Sequence, residues 1–183
     1  MNLTIRSLNA CRATDAQLAG LLVEVVADGG SVSFMAPLAQ DSARQFWDQA
    51  LLAAGRGERI VLGAWDGDVL AGTVTLILAC PPNQPHRAEI AKLMTRPSYR
   101  GRGVAASLMA AAEACAVRHA KTLLVLDTAT DGGAAALYER RGFTFAGEIP
   151  DYALKPHGGL TGTRLYWKRL ALPACLVRPQ AAP

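Results

Sequence analysis

The sequence predicts an α/β fold in which a mixed β-sheet carries helices on both faces. Residues 60–65 and 70–79 are β-prone segments on either side of Asp66-Gly67-Asp68, a strong hairpin signal, so the first half should contain antiparallel strands. Farther along, a strand at residues 87–95 precedes an amphipathic helix at residues 103–119. A hairpin followed by alternating strands and helices is typical of a mixed sheet with helices packed on both sides.

The N-terminal elements follow from alternation and from helix-start signals. Residues 3–8 alternate apolar and polar side chains, as a half-buried strand does. Thr14 or Asp15 is expected to cap a first helix that runs to residue 28, and Asp41 a second that runs to about residue 54. One face of the first helix is apolar and consists of Leu18, Leu21, Leu22, Val25 and Val26.

The C-terminal third of the chain completes the predicted sheet. Residues 123–127 are almost all apolar and predict a buried central strand. A short helix is expected at residues 133–141, and it should end at a glycine. Two closing strands are predicted at residues 143–149 and 164–170, around a loop rich in Pro and Gly.

The composition suits a single domain over residues 1–172, with a loosely ordered tail over residues 173–183. The net charge of +4 is spread over short patches without a basic run, so nucleic acid is not an expected partner. Neither a signal-peptide core nor an apolar run of about 18 residues is present, so we expect a cytoplasmic protein that does not enter a membrane. The four cysteines and three histidines lack metal-site spacing, and no metal is expected.

The turn before the helix at residues 103–119 carries the clearest chemical signal. The first turn of a helix exposes unpaired N–H groups at the positive end of the macrodipole, and these attract anions. Gly101 and Gly103 remove side chains that would hold an anion away, and Arg100 and Arg102 add positive charge. The pattern predicts a pyrophosphate cradle, and its plainer alternative is a tight turn with solvated arginines.

Two nucleotide chemistries compete for this cradle. Gly101-x-Gly103-x-x-Ala106 matches the dinucleotide fingerprint, and Asp127 stands where a ribose-binding acid would. However, residues 96–100 separate the glycines from the preceding strand, and too few residues follow Asp127 to complete a doubly wound sheet. A nicotinamide cofactor is therefore the weaker alternative.

The same residues resemble the GNAT superfamily of N-acetyltransferases. Its Q/R-x-x-G-x-G/A signature stands here as Arg100-Gly101-Arg102-Gly103-Val104-Ala105. Residues 93–97 match the family's L-x-V-x-P with Thr95 in place of valine, and residues 136–143 match its A-x-x-x-Y-x-x-x-G-F block in the second half. The resemblance covers about residues 60–170 and implies a mostly antiparallel central sheet of about seven strands.

By this resemblance the co-substrate is acetyl-CoA. The amides of residues 101–106 would hold its pyrophosphate, and the exposed strand edge at residues 93–95 would pair with pantetheine as an added strand does. Asp131 stands where the family often has a CoA-binding asparagine, and its charge would repel phosphate, so that contact is not expected. The implied cofactor-binding residues are Leu93, Met94, Thr95, Arg100, Gly101, Arg102, Gly103, Val104, Ala105 and Ala106.

The resemblance also implies the catalytic groups. Tyr138 takes the family's general-acid position, where a phenol can hydrogen-bond the departing thiolate, and its alternative is a core tyrosine. Glu89 and Asp127 align with carboxylates that accept the amine's proton in different branches of the family. Both are predicted to lie inside apolar strands, where an unpaired charge is costly, so each should serve the substrate amine or pair with Lys92 or Arg87.

Residues 28–35, 87–94 and 126–128 look more specifically like the tabtoxin-resistance branch of the family. That likeness implies direct transfer, in a ternary complex, to a primary amine of a small molecule such as a toxin, an antibiotic or an amino-acid-like metabolite. Asp28 and residues 31–34 are candidates to wall the acceptor site, and the alternative for Phe34 is a hydrophobic plug. A protein or peptide acceptor, a non-catalytic acyl-CoA-binding module and a homodimer remain open alternatives.

Overall fold

The computed structural model describes residues 2–9 and 12–173. Apart from Pro173, the expected tail lies outside the described residues. In chain order the elements are β1 (Leu3–Ser7), α1 (Arg12–Ala27), α2 (Gln40–Gly55), β2 (Arg59–Asp66), β3 (Val69–Ile77), β4 (Arg87–Thr95), a 3₁₀ turn (Pro97–Tyr99), α3 (Val104–Arg118), β5 (Leu123–Ala129), α4 (Ala135–Arg140), β6 (Thr144–Leu154) and β7 (Leu160–Arg169).

The strands form one sheet in the order β1-β2-β3-β4-β5-β7-β6. β4 and β5 run parallel, and the other neighbouring strands pair antiparallel, which confirms the predicted mixed and mostly antiparallel sheet. One face packs on α3 through a core that includes Leu108 and Met109. The other face packs on α1 and α2 through a core that includes Leu22 and Trp47.

Both N-terminal helices begin before the residues expected to cap them. α1 starts at Arg12, so Thr14 and Asp15 lie inside its first turn. α2 has Ala39 at its N-cap without a side-chain hydrogen bond, and Asp41 lies in the first turn. The predicted caps are therefore wrong, because an acidic residue in the first turn of a helix is favoured by the macrodipole as well as at the cap itself.

The closing hairpin is longer than the sequence predicts. β6 and β7 remain paired as far as Leu154 and Leu160, so much of the expected Pro- and Gly-rich loop is strand. β6 is the edge of the sheet, where Pro150 can stand without interrupting a ladder on its free side. Cross-strand pairing thus outweighs the local turn signals.

Gly72 on β3 brings the start of α3 close to the end of β4. A Cβ at this position would lie 2.6 Å from the carbonyl oxygen of Met94 and 2.8 Å from Cγ1 of Val104. Neither approach is possible for a real side chain without movement of the backbone or of the helix. The absence of a side chain at this one residue therefore places the N-terminus of α3 beside β4.

Candidate active site

Strands β4 and β5 part in the middle of the sheet. Their parallel pairing ends at Glu89 and Val125, although β4 continues to Thr95 and β5 to Ala129. In the described part of the chain, no strand pairs with the last residues of β4 on that side. A free strand edge of this kind can accept an extended ligand as if it were an added strand.

The N-terminus of α3 is built to present backbone N–H groups. Gly101 and Gly103 have φ of 72° and 81°, a conformation that favours glycine, and no side chain caps the helix at Gly103. The first turn's amides therefore point outward, and the nearby αL residues shape the chain into an anion-binding concavity. Space is open around both glycines.

The arginines near this concavity have protein partners. Arg100 forms an ion pair with Asp28 at the end of α1, and Arg102 lies over the ring of Tyr99 at 5.4 Å. Arg96 is held by Glu24 and by the carbonyl oxygen of Leu70. The two arginines expected to supply charge are thus oriented by the fold, and the backbone remains the most direct donor set for an anion.

The other predicted cofactor-binding residues fall into two groups, one with buried and one with half-buried side chains. Met94 and Val104 are buried in the two cores, so they offer a ligand only their backbone groups. Leu93, Thr95, Ala105 and Ala106 are half-buried along the parted strand and the first turn of α3. The strand and the helix start approach each other closely at Gly72.

Tyr138 lies in α4 with only 5% of its surface exposed. Its ring packs against those of Phe143 and Tyr166, at centroid distances of 6.1 and 5.8 Å. Burial raises the pKa of Tyr138 to about 12, the charge of Asp127 adds to the rise, and the Thr128 side chain opposes it. The phenol therefore remains protonated, and able to donate a hydrogen bond, throughout the physiological pH range.

Glu89 and Asp127 are not buried, contrary to the prediction. Glu89 is 38% exposed and lies 3.7 Å from the guanidinium of Arg87, so its expected pairing with that residue is present. Asp127 is exposed and accepts a hydrogen bond of 3.0 Å from the hydroxyl of Thr163. Both side chains stand where β4 and β5 part, and this opening leaves them in contact with solvent.

Asp131 is paired with two side chains of the protein. Its carboxylate accepts a hydrogen bond of 3.0 Å from Thr161 and lies 3.2 Å from the ammonium of Lys155. These two contacts lower the pKa of Asp131. The carboxylate is therefore a structural partner of the β6–β7 hairpin.

The end of α1 and the loop that follows it contact β4 and the turn between β6 and β7. Ser33 accepts a hydrogen bond of 2.9 Å from the Lys92 ammonium on β4. The N–H of Ala36 donates to the carbonyl oxygen of Pro156, and His157 lies 3.0 Å from the carbonyl oxygen of Ala27. The sequence indicates Lys92 only as a possible pairing partner for Glu89 and Asp127. A lysine inside an apolar strand is the signal that could have identified it as a residue of the site.

The match to known proteins agrees with this geometry. A model of the acetyltransferase (GNAT) family matches residues 31–143, which is more than half of the chain. The chain is a GNAT acetyltransferase by family. The matched segment contains the opening between β4 and β5, called the cleft below, together with the start of α3 and Tyr138.

Solved acetyltransferase structures share the fold of most of the chain. Ribosomal-protein-alanine N-acetyltransferase from Brucella melitensis is 20% identical with a TM-score of 0.78, covering 91% of this chain and 99% of its own. The yncA protein of Salmonella typhimurium, solved with acetyl-CoA, is 18% identical with a TM-score of 0.74, covering 94% and 96%. A phosphinothricin acetyltransferase from Sinorhizobium meliloti in complex with AcCoA is 17% identical with a TM-score of 0.77, covering 98% and 94%.

Two further observations concern the described part of this GNAT chain. There, no three His, Cys, Asp or Glu side chains gather as metal ligands would. Nor does any helix described have the length and apolar character needed to cross a membrane.

Proposed function

We propose that the protein transfers an acetyl group from acetyl-CoA to a primary amine of a small molecule. The observation that carries this proposal is the parting of β4 and β5 beside the uncapped start of α3. The opening offers a strand edge for an extended chain, and the helix start offers amides for a diphosphate. Coenzyme A contains both an extended chain, the pantetheine arm, and a diphosphate.

The amides of residues 101–106 would hold the pyrophosphate, and the edge of β4 at residues 93–95 would pair with the pantetheine arm. Because pairing uses backbone groups, Thr95 serves there as well as the usual valine. Arg100 and Arg102 border the phosphate site, each already oriented by a partner. Bound in this way, acetyl-CoA supplies an acetyl group activated as a thioester.

Transfer requires a neutral amine and a stabilised leaving thiolate. The amine nitrogen forms a bond to the acetyl carbonyl carbon, the bond from that carbon to sulfur breaks, and the ammonium proton passes to a protein carboxylate. Asp127 is the better placed acceptor, because its charge acts on Tyr138 while Glu89 lies beside Arg87. The amine attacks directly, without an acyl-enzyme: of the two cysteines in the described residues, Cys115 is buried in the last turn of α3, away from the helix start, and Cys80 lies in the loop between β3 and β4.

Tyr138 would stabilise the thiolate as a hydrogen-bond donor. Its pKa of about 12 lies above the value of about 8.5 that is typical of a thiol, so complete proton transfer to the thiolate is unfavourable. The phenol is therefore suited to sharing its proton with the sulfur. The leaving thiolate takes its proton from solvent, and the second proton of the amine nitrogen is released to solvent as the amide forms.

The tabtoxin-resistance likeness favours a toxin, an antibiotic or an amino-acid-like metabolite as the acceptor, and a cytoplasmic site of action is a separate part of the proposal. An acetyl-CoA assay with a panel of amines and peptides tests this assignment by thiol release and by the mass of the product. Faster turnover of peptides would favour a protein acceptor instead. Tight CoA binding without turnover of any amine would indicate a binding module.

The Tyr138→Phe variant tests the role of the phenol. We expect kcat to fall about 10- to 100-fold, since a hydrogen bond to a charged group contributes about 1.5–3 kcal/mol, while the Kd for CoA is unchanged. An alkaline absorbance titration should lose one transition near pH 12, the value that burial gives this group. Unchanged kcat would leave Tyr138 as a core residue only.

We also propose a homodimer formed through the exposed edge strand β6. This strand and β7 expose large apolar side chains, among them Phe145, Ile149, Leu154, Leu160 and Leu165. An exposed apolar edge strand is well suited to pair with a second copy.

Light scattering should give twice the mass of one chain for the native protein and for Leu52→Lys, but one chain's mass for Leu154→Lys. Leu52 is the matched control because it is 53% exposed and Leu154 is 54% exposed. A native monomer would contradict the proposal.

A further inference from the structure

Lys92 stands at an irregular position of β4. Thr73 pairs with Met94 and Thr75 with Ala91, so β4 has one more residue than β3 between these pairs. Lys92 adopts φ of 50° there, which is uncommon for a residue with a side chain. A β-bulge of this kind redirects a side chain, and bulges are frequent beside active sites.

The redirected side chain meets the loop between α1 and α2. Its ammonium donates a hydrogen bond of 2.9 Å to the hydroxyl of Ser33. It also lies 5.9 Å and 5.8 Å from the ring centroids of Phe34 and Phe46. The charge is thus held on the walls of the cleft by one neutral acceptor and two aromatic rings.

The acids near Lys92 form their close contacts with other groups. Within residues 2–9 and 12–173 the ion pairs found do not include Lys92, and Glu89 lies closest to Arg87. Asp127 accepts its hydrogen bond from Thr163. An ammonium has three N–H donors, and Ser33 takes one of them. Lys92 therefore keeps hydrogen-bonding capacity on the side that faces the cleft.

Burial lowers the pKa of Lys92, and the charges of Asp127 and Glu89 raise it in part. Loss of solvent contact without a close anion is the cause of the lowering. An anionic ligand beside the ammonium would remove this cost. The half-buried cation is therefore better matched to an occupied cleft than to an empty one.

Resting on the proposed acetyltransferase function, we propose that the acceptor is a zwitterion whose carboxylate binds Lys92 while its amine faces Asp127. Lys92 and Asp127 lie on the neighbouring strands β4 and β5, each beyond the last residue pair, Glu89 and Val125, that joins the two strands. A molecule that carries both an amine and a carboxylate would satisfy both. Binding at two points would also align the amine toward the thioester, which is how positioning accelerates transfer.

A comparison of free amino acids with their carboxamides tests this inference. The carboxamide keeps the amine and removes the negative charge. For the native protein, kcat/KM should be about 10- to 100-fold higher for the free acid, as expected for a charge-assisted hydrogen bond. Lys92→Met should abolish this preference. Differences in amine basicity cancel when the ratio of kcat/KM for the free acid to that for the carboxamide is compared between the native protein and the variant.

Lys121→Met is the matched control. Its ammonium donates to the carbonyl oxygens of Leu78 and Pro85, at 3.3 and 2.8 Å, so the variant loses the same charge at another site. It should keep the native preference. Thermal unfolding of the CoA-loaded proteins gives a readout without turnover. Free amino acids should stabilise the native chain and Lys121→Met more than carboxamides do. The two kinds of ligand should stabilise Lys92→Met equally.

The outcomes separate this inference from the function on which it rests. Acetylation of plain amines and carboxamides as readily as free amino acids would overturn the role of Lys92 and leave the acetyltransferase intact. The same holds if Lys92→Met retains the preference. If the native protein acetylates no amine at all, both proposals are wrong.

Discussion

Replacing Gly103 with valine should weaken coenzyme A binding by about 100-fold or more. Gly103 has φ of 81° at the N-cap of α3, and its missing side chain leaves the first-turn amides accessible. A β-branched side chain is strained at this φ and would occupy the space intended for phosphate. Each charge-assisted hydrogen bond lost costs about 1.5–3 kcal/mol, so two together account for the expected change. Isothermal titration with CoA measures it.

Gly57→Val is the control for backbone strain. Gly57 has φ of 78° in open space between α2 and β2 and belongs to neither parted strand, so valine there imposes a similar conformational cost. Both variants should lose comparable stability in urea, but Gly57→Val should bind CoA as the native protein does. Equal CoA affinity for the two variants would mean that the nucleotide binds elsewhere.

Asp127→Asn should lower kcat/KM by about 10²- to 10⁴-fold, the range expected when a general base is removed. Asparagine retains an oxygen that can accept the hydrogen bond from Thr163, so the local structure should persist. Without the carboxylate, the amine must lose its proton to solvent before it attacks. The rate of the variant should therefore rise with pH together with the fraction of free amine, and part of the loss should be recovered in alkaline solution.

Two further variants show whether the loss of kcat/KM in Asp127→Asn is specific to that carboxylate. Glu89→Gln should have the smaller effect, because Glu89 already lies 3.7 Å from Arg87. Asp48→Asn changes the same functional group on the exposed surface of α2 and should leave the rate unaltered. If the Asp127 and Glu89 variants both match the native pH-rate profile, neither carboxylate accepts the proton.

Much of the fold could be predicted because its signals are local. The Asp66-Gly67-Asp68 turn, the bounds of β4 and the helix that follows Gly103 depend on neighbouring residues, through turn chemistry and apolar periodicity. The phosphate-binding pattern is local as well, since glycines and helix start are consecutive. The predicted helix caps and the extent of the closing hairpin were wrong, because several residues could start each helix and pairing between β6 and β7 overrides turn signals.

The amino-acid sequence alone determined the family motifs, the mixed sheet and the residues from which an active site could be chosen. Only the tertiary structure decided how those residues are used. Arg100 bonds to Asp28, which is 72 positions away in the chain, and Lys92 bonds to Ser33, which is 59 positions away. The parting of β4 from β5, which exposes Glu89 and Asp127, is likewise a property of two strands together. Ion pairs and burial depend on distances in space, and the spacing of residues along a chain does not specify those distances until the sheet has formed.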